Sequence, residues 1–169
     1  RHPASQAVTY RALGRSVGCP LGAATMALSR GSANKQCRII GVDNSPAMIE
    51  RCRQLLKDEP VEVRCQDIMD TDLENASVVV LNFVLQFVNL QDRLQLLKKI
   101  QQGLKPVGVL ILSEKIAFTD AAENRRQIEL HEAFKRAHGY SQLEISRKRT
   151  ALENVLIPEN LDHHHKRLK

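Results

Sequence analysis

The sequence predicts an α/β fold, a parallel central sheet with helices on both faces, and three observations carry that prediction. From Cys37 onward, short β-branched runs alternate with longer helical stretches, as in successive βαβ units. The runs are apolar almost throughout, as strands covered on both faces are. An acid, Asp43, closes one of these runs at the point where an open parallel sheet receives a nucleotide-like ligand.

The elements follow in order. CRIIGV (Cys37 to Val42) reads as a strand. Ser45 can cap the next helix and Pro46 can occupy its first turn; the helix runs to about Lys57, and Asp58-Glu59-Pro60 stops it. VEVRC (Val61 to Cys65) is the next strand and ASVVVLNF (Ala76 to Phe83) a fully buried central one. Leu90 to Leu104 is helical by the rhythm of Leu94, Leu96, Leu97, Ile100 and Leu104, with Gly103 closing it and Pro106 beyond. VGVLILSEK (Val107 to Lys115) reads as another buried strand. Asp120 to Ala137, Ser141 to Asn154 and Pro158 to Lys169 read as helices, more charged than those before them. Arg1 to Ser16 shows no convincing strand, so the expected sheet has four strands and the fold reads as incomplete at both ends.

Composition bounds the rest. With 169 residues, 43% hydrophobic and 26% charged, the chain reads as one globular domain, 1–169, with a helical segment over 120–169. No apolar stretch is long enough to span a bilayer and none resembles a signal segment, which predicts a cytoplasmic protein without a membrane partner. Cys19, Cys37, Cys52 and Cys65 stand singly, which predicts free, mostly buried thiols and no structural metal. The net charge of +6 is compatible with RNA but comes largely from scattered Lys and Arg. His163-His164-His165 read as solvated, because adjacent helical residues point apart. His131 and His138 read as helix surface.

The chemistry gathers at the strand ends. GCPLGA (Gly18 to Ala23) supplies a glycine turn, and Asp43, 25 residues beyond Gly18, suits a carboxylate accepting hydrogen bonds from two ribose hydroxyls; an ordinary helix-start turn and a strand-end turn residue are the plainer alternatives. Asp67 can accept from an adenine amine or simply cap a helix. Asn82, at the mouth of a buried strand, either lines a ligand or needs a backbone partner. No Gly-x-Ser-x-Gly elbow is present, which removes hydrolase readings, and no Asp/Asn-Pro-Pro-aromatic follows ASVVVLNF, which removes the usual exocyclic-amine methylation signature.

With these residues in place the sequence resembles the carboxy-S-adenosylmethionine synthases. The resemblance lies in GVDNSPAMIERCR, NASVVVLNFVLQF, LILSEK, HEAFKRAHGYSQLEISRKRTALENV and HKRL, in that order, and covers about Leu21 to Lys169. It implies a Rossmann-like S-adenosylmethionine-dependent methyltransferase fold. It also implies a transferase that converts S-adenosylmethionine and prephenate to carboxy-S-adenosylmethionine and phenylpyruvate. That product would feed a tRNA carboxymethyltransferase acting on a hydroxyuridine at the wobble position, with no direct nucleic-acid contact required, and the enzyme would be a homodimer. Carried over by position, the cofactor contacts are Gly18, Cys19, Pro20, Asp43, Asn44, Asp67, Ile68 and Asn82, with Arg167 holding the carboxylate of the product. Ser16 stands where the family has an acid, and Pro20 where it has a serine. No general base is assigned. An ordinary methyltransferase and a non-catalytic fragment are the alternatives.

Overall fold

The computed structural model describes residues 6–10, 21–31, 37–153 and 155–169. Gly18, Cys19 and Pro20, the expected glycine turn, lie outside the described residues. The chain forms two compact units, Arg1–Glu114 and Lys115–Lys169.

The first unit holds the expected parallel sheet, with one strand more than the sequence announces. Strands β1 (Gln6–Tyr10), β2 (Arg38–Asp43), β3 (Val61–Cys65), β4 (Ala76–Asn82) and β5 (Leu104–Ser113) are all parallel, in the order β3-β2-β1-β4-β5. The expectation that Arg1 to Ser16 lacks a strand is therefore corrected, and β1, not β4, is central. QAVTY carries Val, Thr and Tyr, which favour strands, but also Gln6 and Thr9, so it lacks the continuous apolar run of a doubly covered strand. Its identity as a strand comes from β2 and β4 pairing with it on both sides.

Helices α1 (Leu21–Gly31), α2 (Pro46–Leu55) and α3 (Arg93–Gly103) belong to the same unit. The start of α2 is as expected: Ser45 Oγ accepts from the Met48 N–H at 3.4 Å, and Pro46 fills the first turn, where a missing N–H costs nothing. The helix ends at Leu55, slightly before Lys57. It buries Ile49 and Cys52 with Leu56, and Met26, Val61 and Val63 pack around them. The larger core joins Ile40 and Val42 of β2, Val79 and Leu81 of β4, and Leu96, Leu97 and Ile100 of α3. Each such fully buried aliphatic side chain contributes roughly 1.5–3 kcal/mol.

Two details fix where β5 begins. A Cβ on Gly103 would stand 2.5 Å from the Leu73 carbonyl oxygen, so only glycine allows the end of α3 to pass that backbone. The strand then starts at Leu104, three residues before the expected Val107, and its register against β4 shifts between Ala76 and Val78. Val107 sits there at φ 63° directly after Pro106, in the left-handed region that favours glycine. Val109 and Ile111 are exposed, which corrects the reading of β5 as fully buried. An apolar run reports that a strand is apolar, not how many of its faces are covered.

The second unit holds α4 (Ala121–Ala137), α5 (Gln142–Leu152) and α6 (Leu161–Leu168), close to the expected spans. Their starts are set by side-chain caps: Asp120 accepts from the Glu123 N–H at 2.7 Å, Asn160 from the His163 N–H at 2.9 Å, and Ser141 with Glu144 forms a reciprocal capping box. A bridge between Ile116 and Glu159 ties the segment before α4 to the one before α6. His163 and His165 are exposed as expected, but His164 is buried, which corrects that part of the reading. Three adjacent residues on one helix point in three directions, so one of them faces inward. No helix among the described residues is long and apolar enough to cross a membrane.

Candidate functional site

In a parallel sheet the carboxyl ends of all strands share one edge, so residues far apart in sequence meet there. Tyr10, the last residue of β1, pairs with Val42 on one side and Leu81 on the other. Asp43 and Asn82 are the next residues along β2 and β4, and they therefore flank the end of the central strand. The chain runs outward from β1 through β2 to β3, then returns to β4 and β5 on the opposite side. That reversal is a topological switch point, where open α/β sheets form their ligand crevice.

Asp43 is 1% exposed and its Oδ1 accepts the Ser45 N–H at 2.8 Å, which fixes the carboxylate at the turn into α2. Its charge is felt locally. Burial, and after it Asp43, push the Cys52 thiol up to about 11, so Cys52 stays protonated and unreactive. Cys65 is exposed and Cys37 half-buried, so among the described residues only Cys52 matches the expectation of buried thiols. Asn44 is exposed beside Asp43.

Gln66 and Asp67 follow β3. The Gln66 N–H donates to the Asp43 carbonyl at 3.1 Å, and Asp67 is exposed, with its Oδ1 accepting the Met69 N–H at 2.8 Å as the cap of a short 3-10 turn. Asp67 thus has the capping role that the sequence left open, on the same edge as Asp43. Ile68 is buried in the main core, so its backbone rather than its side chain is what a ligand would meet. Asn82 is half-buried opposite Ser113 of β5.

The sequence did not single out what happens next along β4. Phe83 adopts φ 57°, a left-handed conformation that a bulky residue rarely takes, and it is exposed. Its N–H donates to the Ser113 carbonyl at 2.7 Å. The three following N–H groups all go to Glu114: Val84 and Leu85 donate to Oε1 at 2.8 Å each, and Gln86 to Oε2 at 3.2 Å. Arg93, fully buried, donates through Nε to the Val88 carbonyl at 3.0 Å. Burial raises the Glu114 carboxyl above its usual range, opposed by the backbone donors and by Arg93. The available sequence signal was an acid just past the end of a strand, at the same edge as Asp43.

In the second unit, Arg167 Nη2 donates to Glu159 Oε1 at 2.6 Å, with both side chains largely buried. Its Nη1 is buried without a hydrogen-bond partner among the described residues. Positive charge also concentrates in this unit. Burial pulls the Lys115 ammonium below its usual range, and Lys135 and Arg149 pull it further. His131 is lowered by burial first, then by Lys135 and Lys115. Among the described residues no group of three or more His, Cys, Asp or Glu could hold a metal ion.

The parallel order with a switch point beside β1, and an acid at the end of β2, is the arrangement of a methyltransferase domain. The chain belongs to that family: the profile described as "Methyltransferase domain" matches residues 16–112. Among solved structures it is similar to the YcgJ protein from Bacillus subtilis, with a TM-score of 0.62 at 14% identity, over 97% of this chain and 60% of that one, a likeness of fold. Among curated proteins it is 54% identical over 158 residues to the carboxy-S-adenosyl-L-methionine synthase of Geobacter sp. strain M21, and 55% identical over 158 residues to that of Trichlorobacter lovleyi. Each alignment covers 90% of this chain and 65% of the relative.

Proposed function

We propose that the protein is a carboxy-S-adenosyl-L-methionine synthase, with S-adenosylmethionine and prephenate as substrates and carboxy-S-adenosylmethionine and phenylpyruvate as products. The observation that carries the reading is the line of Asp67, Asp43 and Asn82 along the carboxyl edge, at a switch point, in a chain more than half identical to proteins of that name. These residues fit the substrate chemically. Asp43 offers acceptors to a ribose diol, Asp67 an acceptor to an exocyclic amine, and Asn82 both a donor and an acceptor to the amino-acid end. Asn44 and the Ile68 backbone complete the contacts, with Gly18, Cys19 and Pro20 taking the glycine-turn role by position.

S-adenosylmethionine supplies a sulfonium that acidifies the methyl carbon attached to it. Overall, prephenate gives up carbon dioxide and hydroxide to become phenylpyruvate. The methyl carbon gains the carboxylate, and the proton it loses leaves with the hydroxide as water. The chain's part is to orient the nucleoside through Asp43 and to hold the reacting end near Asn82. Arg167 is proposed to hold the new carboxylate on the strength of the resemblance and of its buried Nη1, which has no hydrogen-bond partner among the described residues; Glu159 already occupies its other terminal nitrogen. The protein works in the cytoplasm as a homodimer, and its product passes to a tRNA carboxymethyltransferase.

The test is mass spectrometry of the cofactor after incubation with prephenate. A species heavier by one carboxylate group, formed only when prephenate is present, is expected, and Asp43→Ala should lower affinity for S-adenosylmethionine about 100-fold by calorimetry, as loss of a buried charged partner does. A product methylated on a second substrate instead would overturn the assignment.

A further inference from the structure

The segment that leaves β4 is held more completely than a surface loop needs. Four successive backbone N–H groups, from Phe83 to Gln86, are taken by two successive residues at the end of β5: the Ser113 carbonyl accepts the first, and the Glu114 carboxylate the other three. On the far side of the same segment, Arg93 of α3 holds the Val88 carbonyl. The path so fixed includes Phe83 in a left-handed conformation, which persists only where the surroundings over-determine it. The segment begins at Asn82, beside the end of β1, and presents an exposed aromatic ring immediately after it.

We propose that Glu114 is a positioning residue for the reaction: by binding the N–H groups of Val84, Leu85 and Gln86 it keeps Asn82 and Phe83 at the switch-point mouth. This rests on the reading of Asn82 as a ligand contact. A carboxylate suits the task because it only accepts hydrogen bonds and has two oxygens to divide among three donors. Glutamine at this position keeps one acceptor oxygen but turns an NH₂ toward the remaining donor, and alanine leaves all three N–H groups without their partner.

The experiment compares the unaltered chain with Glu114→Ala and Glu114→Gln. Glu114→Ala should exchange the amide hydrogens of Val84, Leu85 and Gln86 about tenfold faster or more, as loss of charge-assisted hydrogen bonds implies. Its kcat for the prephenate-dependent reaction should fall about 10- to 100-fold, the cost of a misplacement of about 1 Å, while KM for S-adenosylmethionine changes much less. Glu114→Gln should recover part of both effects. Unchanged exchange in Glu114→Ala, or equal losses in kcat and affinity with no recovery by glutamine, would overturn the proposal. If Glu114→Ala does not fold, the same two readouts on Glu114→Gln decide. If the unaltered chain makes no carboxylated product, the functional assignment fails, and positioning is then decided by S-adenosylhomocysteine. That ligand should shift the Asn82 and Phe83 amide resonances in the unaltered chain and in Glu114→Gln but not in Glu114→Ala; equal shifts in all three would overturn it.

Discussion

Helices α3 and α4 show how differently the two units are built. α3 spends eleven residues and buries four side chains, Arg93, Leu96, Leu97 and Ile100, the last three in one continuous core with β2 and β4. α4 spends seventeen residues and buries none, leaving Leu130 and Phe134 exposed. The first unit is held by apolar burial. The second is shaped at its helix ends, by Asp120, Ser141 with Glu144, and Asn160, and by ion pairs such as Arg167 with Glu159. Helical spacing of apolar residues therefore announces a helix in both units but a core only in the first.

The contrast can be broken by measurement. Ile100→Ala should cost about 2–5 kcal/mol in urea unfolding, because it removes a fully buried side chain and leaves a cavity, whereas Leu130→Ala should stay within about 0.5 kcal/mol. A large cost at Leu130 would mean that its face of α4 is covered in solution. Ser141→Ala should cost about 1 kcal/mol and fray the start of α5, visible as faster amide exchange there, since the Ser141 hydroxyl accepts the Glu144 N–H and donates to the Glu144 carboxylate, while the half of the box made by the Ser141 N–H remains. Val107→Gly should raise stability by about 0.5–1 kcal/mol, the relief of a β-branched residue at positive φ less the added freedom of glycine in the unfolded chain; an unchanged thermal midpoint would show that the strain is absorbed elsewhere.

The smallest effect tests whether the rim of the first unit behaves like the second. Arg64 and Arg38 bond the Glu62 carboxylate and hold it below its usual range. Its folded value is depressed, so its contribution is present above the ordinary carboxylate range and is lost as pH falls through the lowered value. Glu62 is well exposed, and solvent screens the pair, so Glu62→Gln should change stability near neutral pH by under about 1 kcal/mol. The difference from the unaltered chain should vanish in acid.

What the sequence made legible follows from how local each signal is. The start of α2 was readable because Ser45 and Pro46 act within one turn. Asp43 and Asn82 were readable as strand ends because an acid or amide that terminates an apolar run is a local anomaly. β1 was not readable, since Gln6–Tyr10 becomes a strand through partners more than 25 residues away. The exposure of Val109 and Ile111 was hidden for a related reason: what covers a face is not written in the strand itself. Glu114 escaped notice because its three partners lie about thirty residues earlier, and only the pairing of β4 with β5 brings them together.

The place of β1 also bears on how the molecule comes to be folded. Without Gln6–Tyr10 the sheet would be two separate ribbons, β3 with β2 and β4 with β5, each offering an unpaired edge to any extended chain nearby. The pairing that closes this gap joins residues up to about seventy positions apart, a slow search by the usual relation between contact separation and folding rate. Until that strand docks, the ribbon edges are the part of the chain most exposed to mispairing with other copies.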